Sequence, residues 1–183
     1  MRQRRLVAAT VLAVGIATGL QGCAVAPLMH RGGIMVDRFA EVKADDQTVG
    51  EILAAFNRAE EAVNAQNLDA LMNIYSQGYS YHGFTKDDLR KIWGDLFTHY
   101  QGLTSNHIFS RIATGSGKQR TAEITCTGSL WGISKENGER VNIDSWYGEV
   151  HHLVYEDGAW RVRGHAGQAP KVLQFGVTPH PFF

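Results

Sequence analysis

The sequence predicts an α+β domain in which amphipathic helices pack on a curved antiparallel sheet. Between Thr48 and Tyr100, apolar residues recur mainly at the spacing of helices, and from Leu103 onward the period becomes that of strands. The predicted strands are long and joined by short turns, so neighbouring strands must run antiparallel. Because the helical stripes have to be buried against one face of this twisted sheet, we expect a cone with a cavity between the two layers.

Two long helices are expected in the first half of the chain. The first begins near Thr48, where Thr48 and Glu51 fit a capping box. Its apolar stripe consists of Val49, Ile52, Leu53, Phe56, Ala59 and Val63. The second is capped by Thr85, with Asp88 in its first turn, and Gly102 is placed to end it. Its apolar stripe consists of Leu89, Ile92, Trp93, Leu96, Phe97 and Tyr100.

The sheet is expected to contain four long strands. Their approximate ranges are 103–113, 119–132, 140–155 and 159–165. The turn signals Asn137-Gly138 and Asp157-Gly158 separate the last three strands. A short helix near residues 68–75 and a short strand at 79–82 lie between the two long helices. In the third long strand both alternating sets of residues are substantially apolar, so the sequence leaves open which set faces the cavity.

The beginning of the chain has the pattern of an export signal. Arg2, Arg4 and Arg5 precede an apolar run from Leu6 to Leu20. This run is shorter than the roughly 20 residues that a membrane-spanning helix needs. We therefore expect residues 1–22 to be a signal peptide and not a membrane span.

The end of this signal, Leu20-Gln21-Gly22-Cys23, resembles a bacterial lipobox. The resemblance implies cleavage before Cys23, lipidation of Cys23 and firm anchoring by several acyl chains, such as palmitate. Ala24, in place of aspartate, implies sorting to the outer membrane with the domain facing the periplasm. Residues 23–46 are then expected to form a tether. A plain secretory signal with a chance cysteine is the alternative.

The net charge limits the classes of partner that the mature chain can bind, and the cysteine count bears on the state of Cys126. The chain has 18 Lys and Arg and 18 Asp and Glu, and removal of the signal takes away arginines and no acidic residue. The slight negative charge that remains argues against nucleic acid as a partner. With Cys23 lipidated, Cys126 stands alone, and its place on an apolar strand predicts a buried, unreactive thiol. We expect no cofactor.

Three segments resemble the nuclear transport factor 2-like (NTF2-like) superfamily, in particular its SnoaL-like and ketosteroid isomerase-like group. They are Asn67-Leu68-Asp69-Ala70-Leu71-Met72-Asn73-Ile74-Tyr75, Tyr79-Ser80-Tyr81-His82-Gly83 and Glu156-Asp157-Gly158-Ala159-Trp160-Arg161-Val162. The resemblance covers residues 47–166, leaves 167–183 as an irregular tail, and implies an NTF2-like or cystatin-like cone that is commonly dimeric. The group contains isomerases, cyclases and dehydratases as well as non-enzymatic binding modules, so the fold does not decide the function.

The resemblance also directs attention to acid–base residues. Where ketosteroid isomerase-like enzymes carry their general base, this chain has Gln77-Gly78-Tyr79, and an amide cannot abstract a proton. The remaining candidates for catalysis are His107, His151, Glu149 and Tyr81. The expected ligand-binding residues are Tyr75, Tyr81, Trp93, His107, Trp146, Tyr147 and Arg163. Glu149 and His151 are expected to share one face of a strand, as a proton shuttle, as a polar ligand contact or as a hydrogen-bonded pair within an interface. No metal site is expected, because no ligand spacing accompanies the histidines.

Three functional hypotheses follow from these observations. The first is an envelope lipoprotein whose domain binds a small apolar or weakly acidic molecule or serves in assembly, with a homodimer formed through the outer face of the sheet. The second is a SnoaL-like or ketosteroid isomerase-like enzyme that uses histidine and tyrosine in acid–base chemistry. The third is a structural envelope protein whose cavity is filled by its own side chains.

Overall fold

The computed structural model describes residues 33–166 and residue 183, and it shows the expected α+β cone. In chain order the elements are β1 (Gly33–Lys43), α1 (Asp46–Asn64), α2 (Leu68–Leu71), a 3-10 turn (Met72–Ile74), β2 (Ser80–Tyr81), β3 (Phe84–Thr85), α3 (Lys86–His99), β4 (Tyr100–Thr114), β5 (Thr121–Ser134), β6 (Arg140–Glu156) and β7 (Ala159–His165). The four predicted long strands correspond to β4–β7. None of the helices within these residues is both long and apolar enough to cross a membrane.

The main sheet has five strands in the order β1-β4-β5-β6-β7. Strands β4 to β7 pair antiparallel, as predicted, whereas β1 pairs parallel to β4. The prediction of a tether over residues 23–46 is therefore wrong for 33–43. Strand β1 covers the free edge of β4, and Ile34 packs against the core, which explains why this segment is ordered. Residues 1–32, with the signal and Cys23, lie outside the described residues, as do 167–182 of the expected tail.

The helix boundaries differ from the prediction where a competing cap is present. Helix α1 begins at Asp46, two residues before the expected start near Thr48. Its cap is Asp45, whose Oδ1 accepts from the Thr48 backbone N–H at 2.7 Å, so the predicted cap at Thr48 is wrong. The predicted cap at Thr85 is confirmed, and Thr85 and Asp88 form a capping box at the start of α3. Helix α3 passes directly into β4 at Tyr100, and Gly102 lies inside that strand instead of ending the helix.

An irregularity in β6 decides which of its residues face the helices. The pairing with β5 shifts between Cys126↔Glu149 and Gly128↔Trp146, and Gly148 at this point adopts a φ of 63°. Such a bulge inverts the alternation of a strand. Trp146 from one alternating set and Glu149 and His151 from the other therefore share the inner face, which a simple alternation of residues could not predict.

Candidate functional site

A buried polar cluster lies between helix α1 and strand β4. Glu60 on α1 is 4% exposed, and Ser105 and His107 on β4 are 2% and 1% exposed. Glu60 Oε1 accepts a hydrogen bond from the Ser105 hydroxyl and lies 3.0 Å from His107 Nε2. The second oxygen, Oε2, is buried and has no hydrogen-bond partner within the described residues. The cluster therefore presents a carboxyl group with one spare acceptor oxygen in the interior.

Sequence reasoning identified His107 but missed Glu60. Glu60 follows Phe56 by four residues and precedes Val63 by three, so all three share one face of α1. A charged residue within the apolar stripe of an amphipathic helix is the signal that would have found it.

His107 is also held through its other ring nitrogen. Nδ1 of His107 lies 3.6 Å from Cys126 Sγ, and Trp146 Nε1 donates to the same sulfur at 3.3 Å. Burial raises the pKa of the Cys126 thiol to about 12, so the thiol stays protonated at neutral pH. Cys126 is the buried, unreactive thiol that the sequence predicted, and it contributes to the orientation of the His107 ring.

The ring of Phe183 occupies the interior beside this cluster. Phe183 is 1% exposed, and its ring is stacked on that of His107 with centroids 5.3 Å apart and planes 16° apart. Trp93 stacks against it with a centroid distance of 6.0 Å. Phe56 and Tyr75 meet it edge to face at 5.9 and 6.3 Å. The cone therefore already holds one aromatic ring, surrounded by aromatic side chains from both layers.

Tyr75 and Trp93, both predicted to bind ligand, form one wall of this interior. Trp93 Nε1 donates to the Tyr75 hydroxyl at 2.9 Å, and both residues are almost completely buried. Burial raises the pKa of Tyr75 far above its usual range, and interactions with Trp93 and the Phe183 backbone oppose the shift only in part. The Tyr75 hydroxyl is therefore neutral at physiological pH and can donate a hydrogen bond inside the cone.

A second polar cluster contains Tyr81, Glu149 and His165. The Tyr81 hydroxyl donates to Glu149 Oε1 at 3.3 Å, and His165 Nδ1 lies 3.8 Å from the same oxygen. Burial raises the pKa of Glu149, the hydrogen bond from Tyr81 opposes this shift, and the charge of Asp144 adds to it. Burial and the neighbouring Glu149 raise the pKa of Tyr81 to about 12. Tyr81 is therefore a neutral donor to a carboxyl group that holds its proton more tightly than usual.

His151 extends this second cluster towards the core. It is fully buried, and its ring lies 4.5 Å from that of His165 and 6.4 Å from that of Phe56. The side chain of Glu149, which is 22% exposed, forms the outer end of the cluster. His165 thus contacts both members of the predicted Glu149–His151 pair. In the part of the chain that the structure describes, no group of three or more His, Cys, Asp or Glu is arranged to hold a metal ion.

Two of the predicted ligand-binding residues do not reach the interior. Tyr147 is 92% exposed because the bulge at Gly148 lets Trp146 and Glu149 take the inward positions on either side of it. Arg163 is exposed on β7, at a position that the register of β6 and β7 skips. The prediction that these two side chains line the cavity is wrong. The homodimer through the outer sheet face stays a prediction.

Comparison with known proteins finds similarity at the level of structure. No protein-family model matches the sequence, and no curated protein is significantly similar to it. A conserved protein from Planctomyces limnophilus superposes with a TM-score of 0.58 and 11% identity, covering 67% of this chain and 96% of that one.

Two solved structures from Novosphingobium aromaticivorans also superpose on this chain, each with a TM-score of 0.53. One, described as a candidate aromatic ring hydroxylase, has a TM-score of 0.53 and 14% identity and covers 67% of this chain and 89% of its own. The other, described as a candidate scytalone dehydratase, has a TM-score of 0.53 and 12% identity and covers 65% and 81%. At these identities the similarity concerns the fold alone. The chain has the NTF2-like, cystatin-like fold of helices on a curved sheet.

Proposed function

We propose that this chain is a lipid-anchored envelope protein whose NTF2-like domain binds a small, flat aromatic molecule inside the cone. The observation that carries the proposal is the ring of Phe183, which lies buried between His107 and Trp93. A space that accommodates one aromatic ring by stacking accommodates the ring of a ligand by the same contacts. Ligand pockets of this kind are mostly apolar, with a few polar groups that fix orientation.

The polar groups beside Phe183 support a binding role over a purely structural one. A buried carboxyl group costs free energy unless its oxygens are hydrogen-bonded, and Glu60 Oε2 has no partner within the described residues. A core that served stability alone would gain by an apolar residue at this position. A ligand hydroxyl that donates to Glu60 gives the spare oxygen the partner that the described side chains do not provide.

The Glu60–His107 pair supports a second candidate, an acid–base enzyme acting on the same aromatic ligand. A carboxyl group bound to an imidazole fixes the orientation of the ring and favours its protonated form during proton transfer. In this hypothesis His107 moves the proton, Glu60 positions His107, and the Tyr75 hydroxyl donates to the ligand. One structural neighbour is described as a candidate scytalone dehydratase, which agrees with this chemistry but at 12% identity does not assign it.

Ligand binding can be tested by thermal shift with 2-naphthol and its saturated analogue decahydro-2-naphthol, together with native mass spectrometry for co-purifying molecules. We expect 2-naphthol to raise the melting temperature more than the saturated analogue, because only a flat ring stacks between His107 and Trp93. His107→Leu should weaken the effect, whereas His99→Leu, at an exposed position, should leave it unchanged. No shift with either compound and no co-purifying mass would favour the structural hypothesis of a filled cavity.

The lipid anchor is tested separately by cell fractionation. Cys23→Ser should release the protein from the membrane fraction while leaving the domain folded, because the anchor is attached at that residue alone. Ala24→Asp should keep the anchor but move the protein from the outer to the inner membrane. A Cys23→Ser protein that still sediments with membranes would contradict the lipoprotein proposal without affecting the proposal for the cone.

A further inference from the structure

We infer that Phe183 is a displaceable occupant of the ligand site, so that its seating in the cone and the binding of an aromatic ligand exclude each other. The inference rests on the proposed function, since it concerns the regulation of that same site. It goes beyond that function by identifying a residue of the chain itself, Phe183, that competes with the ligand for the site.

The ring of Phe183 lies where we propose that the ligand ring binds. It contacts rings from four separate parts of the domain: Phe56 on α1, Tyr75 after the 3-10 turn, Trp93 on α3 and His107 on β4. These residues surround the ring on its faces and edges, and it is 1% exposed. A second aromatic ring cannot enter this space while Phe183 remains there, because protein interiors are close-packed.

Phe183 is held in the interior in a different way from Phe56, Trp93 and His107, because no helix or strand of the described residues contains it. Every helix and strand of the described chain lies before residue 166, and all pairing within the sheet is complete without Phe183. Removal of Phe56 or His107 from the interior would require α1 or β4 to unfold. Among the described residues, withdrawal of Phe183 breaks no hydrogen bond of a helix or strand; it gives up the ring contacts named above and the backbone interaction with Tyr75.

Withdrawal of the ring also makes polar groups accessible with which the phenylalanine side chain forms no hydrogen bond. The Tyr75 hydroxyl lies at one side of the space, and the spare Oε2 of Glu60 belongs to the cluster that contains His107, on which the ring stacks. The backbone of Phe183 interacts with Tyr75, but its benzyl side chain has no polar atom with which to satisfy Glu60 Oε2. A ligand ring with a hydroxyl group gains a hydrogen bond that the internal occupant cannot make, and this difference favours exchange.

Competition of this kind lowers the apparent affinity by the fraction of molecules in which the site is empty. Full burial of a phenylalanine side chain favours the occupied state, and ordering of the chain offsets part of this gain, so we expect the site to be empty in about one molecule in ten. Removal of the ring should therefore tighten aromatic binding by on the order of tenfold.

The experiment compares three proteins by isothermal titration calorimetry with 2-naphthol: the unmodified chain, Phe183→Ala and Phe39→Ala. Phe39 is 81% exposed, so Phe39→Ala makes the same chemical change away from the cone and serves as the matched control. We expect about tenfold tighter binding to Phe183→Ala and no change for Phe39→Ala. Circular dichroism verifies the fold of each protein. If Phe183→Ala fails to fold, Phe183→Leu, which keeps an apolar side chain but loses the stacking, should show a smaller gain.

The outcomes separate this inference from the proposed function. Equal affinity for the unmodified chain and Phe183→Ala would overturn the competition and leave the binding site in place. Weaker binding by Phe183→Ala would also overturn it, because Phe183 would then be part of the wall that contacts the ligand. Absence of binding by all three proteins would remove the proposed function itself, and the competition with it.

Discussion

Replacement of His107 by phenylalanine should destabilise the domain, although phenylalanine is the more apolar residue and similar in size. His107 Nε2 lies 3.0 Å from Glu60 Oε1, and both side chains are buried. A hydrogen bond to a charged group contributes about 1.5–3 kcal/mol, and removal of one partner of a buried pair costs about 3–5 kcal/mol. Since Ser105 still donates to Glu60 in the variant, we expect the lower end of this range, about 3 kcal/mol.

The double variant Glu60→Leu/His107→Phe should recover much of this loss. It removes the buried carboxyl group together with the imidazole, so that only the Ser105 hydroxyl loses its acceptor, at a cost of about 1 kcal/mol. Glu60→Leu alone leaves both Ser105 and His107 without their shared acceptor. The double variant should therefore be more stable than the sum of the single effects predicts, by at least about 2 kcal/mol.

Urea unfolding at pH 7, followed by circular dichroism, measures all four proteins of this cycle. The slope of the free energy of unfolding against urea must stay constant, since a change would indicate an altered denatured state. Additive effects, within about 0.5 kcal/mol, would refute the pairing of Glu60 with His107 in solution. A His107→Phe variant as stable as the unmodified chain would have the same consequence.

Two further predictions concern β5 and β6. Gly128→Ala should destabilise the domain by about 2 kcal/mol or more in urea unfolding, because the added Cβ would lie 2.5 Å from the Trp146 ring and would also meet the backbone of β4. Gly138→Ala is the control for packing: nothing lies near the added Cβ there, so this variant carries only the cost of its positive φ. Glu149→Gln should raise the melting temperature at pH 7. Burial raises the pKa of Glu149 above its ordinary 4.5, so ionisation of this residue in the folded state costs stability as the pH rises above 4.5. The gain should vanish below pH 4.5, where the residue is protonated in both states, and the exposed Glu136→Gln should show no such pH dependence.

The sequence predicted those features of the fold that depend on local pattern. The stripe on α3 placed Trp93 in the interior, and the capping box at Thr85 fixed the start of that helix. His107, predicted to bind ligand, is buried on β4. In each case residues close together in sequence determine the result, so the periodicity of helices and strands was sufficient.

The remainder depends on contacts between distant parts of the chain. The bulge at Gly148 changes the inward face of β6, and its place is set by the register with β5. Strand β1 is ordered by its pairing with β4, which no local signal near Gly33 indicates. Phe183 is buried by rings far from it in sequence. The site is built from such contacts, which explains why Glu60 and Ser105 were missed.

The displacement of Phe183 also distinguishes the two proposed functions from each other. If the domain is an enzyme, Phe183 competes only with free substrate and is already absent from the occupied site. Phe183→Ala should then lower KM by on the order of tenfold and leave kcat unchanged, provided that chemistry is slower than substrate dissociation. If Phe183 instead closes the site over the substrate or takes part in orienting it, the same substitution should lower kcat. For a binding protein the substitution changes affinity and no turnover accompanies it, whereas His107→Phe should abolish turnover in the enzyme, because phenylalanine cannot carry a proton.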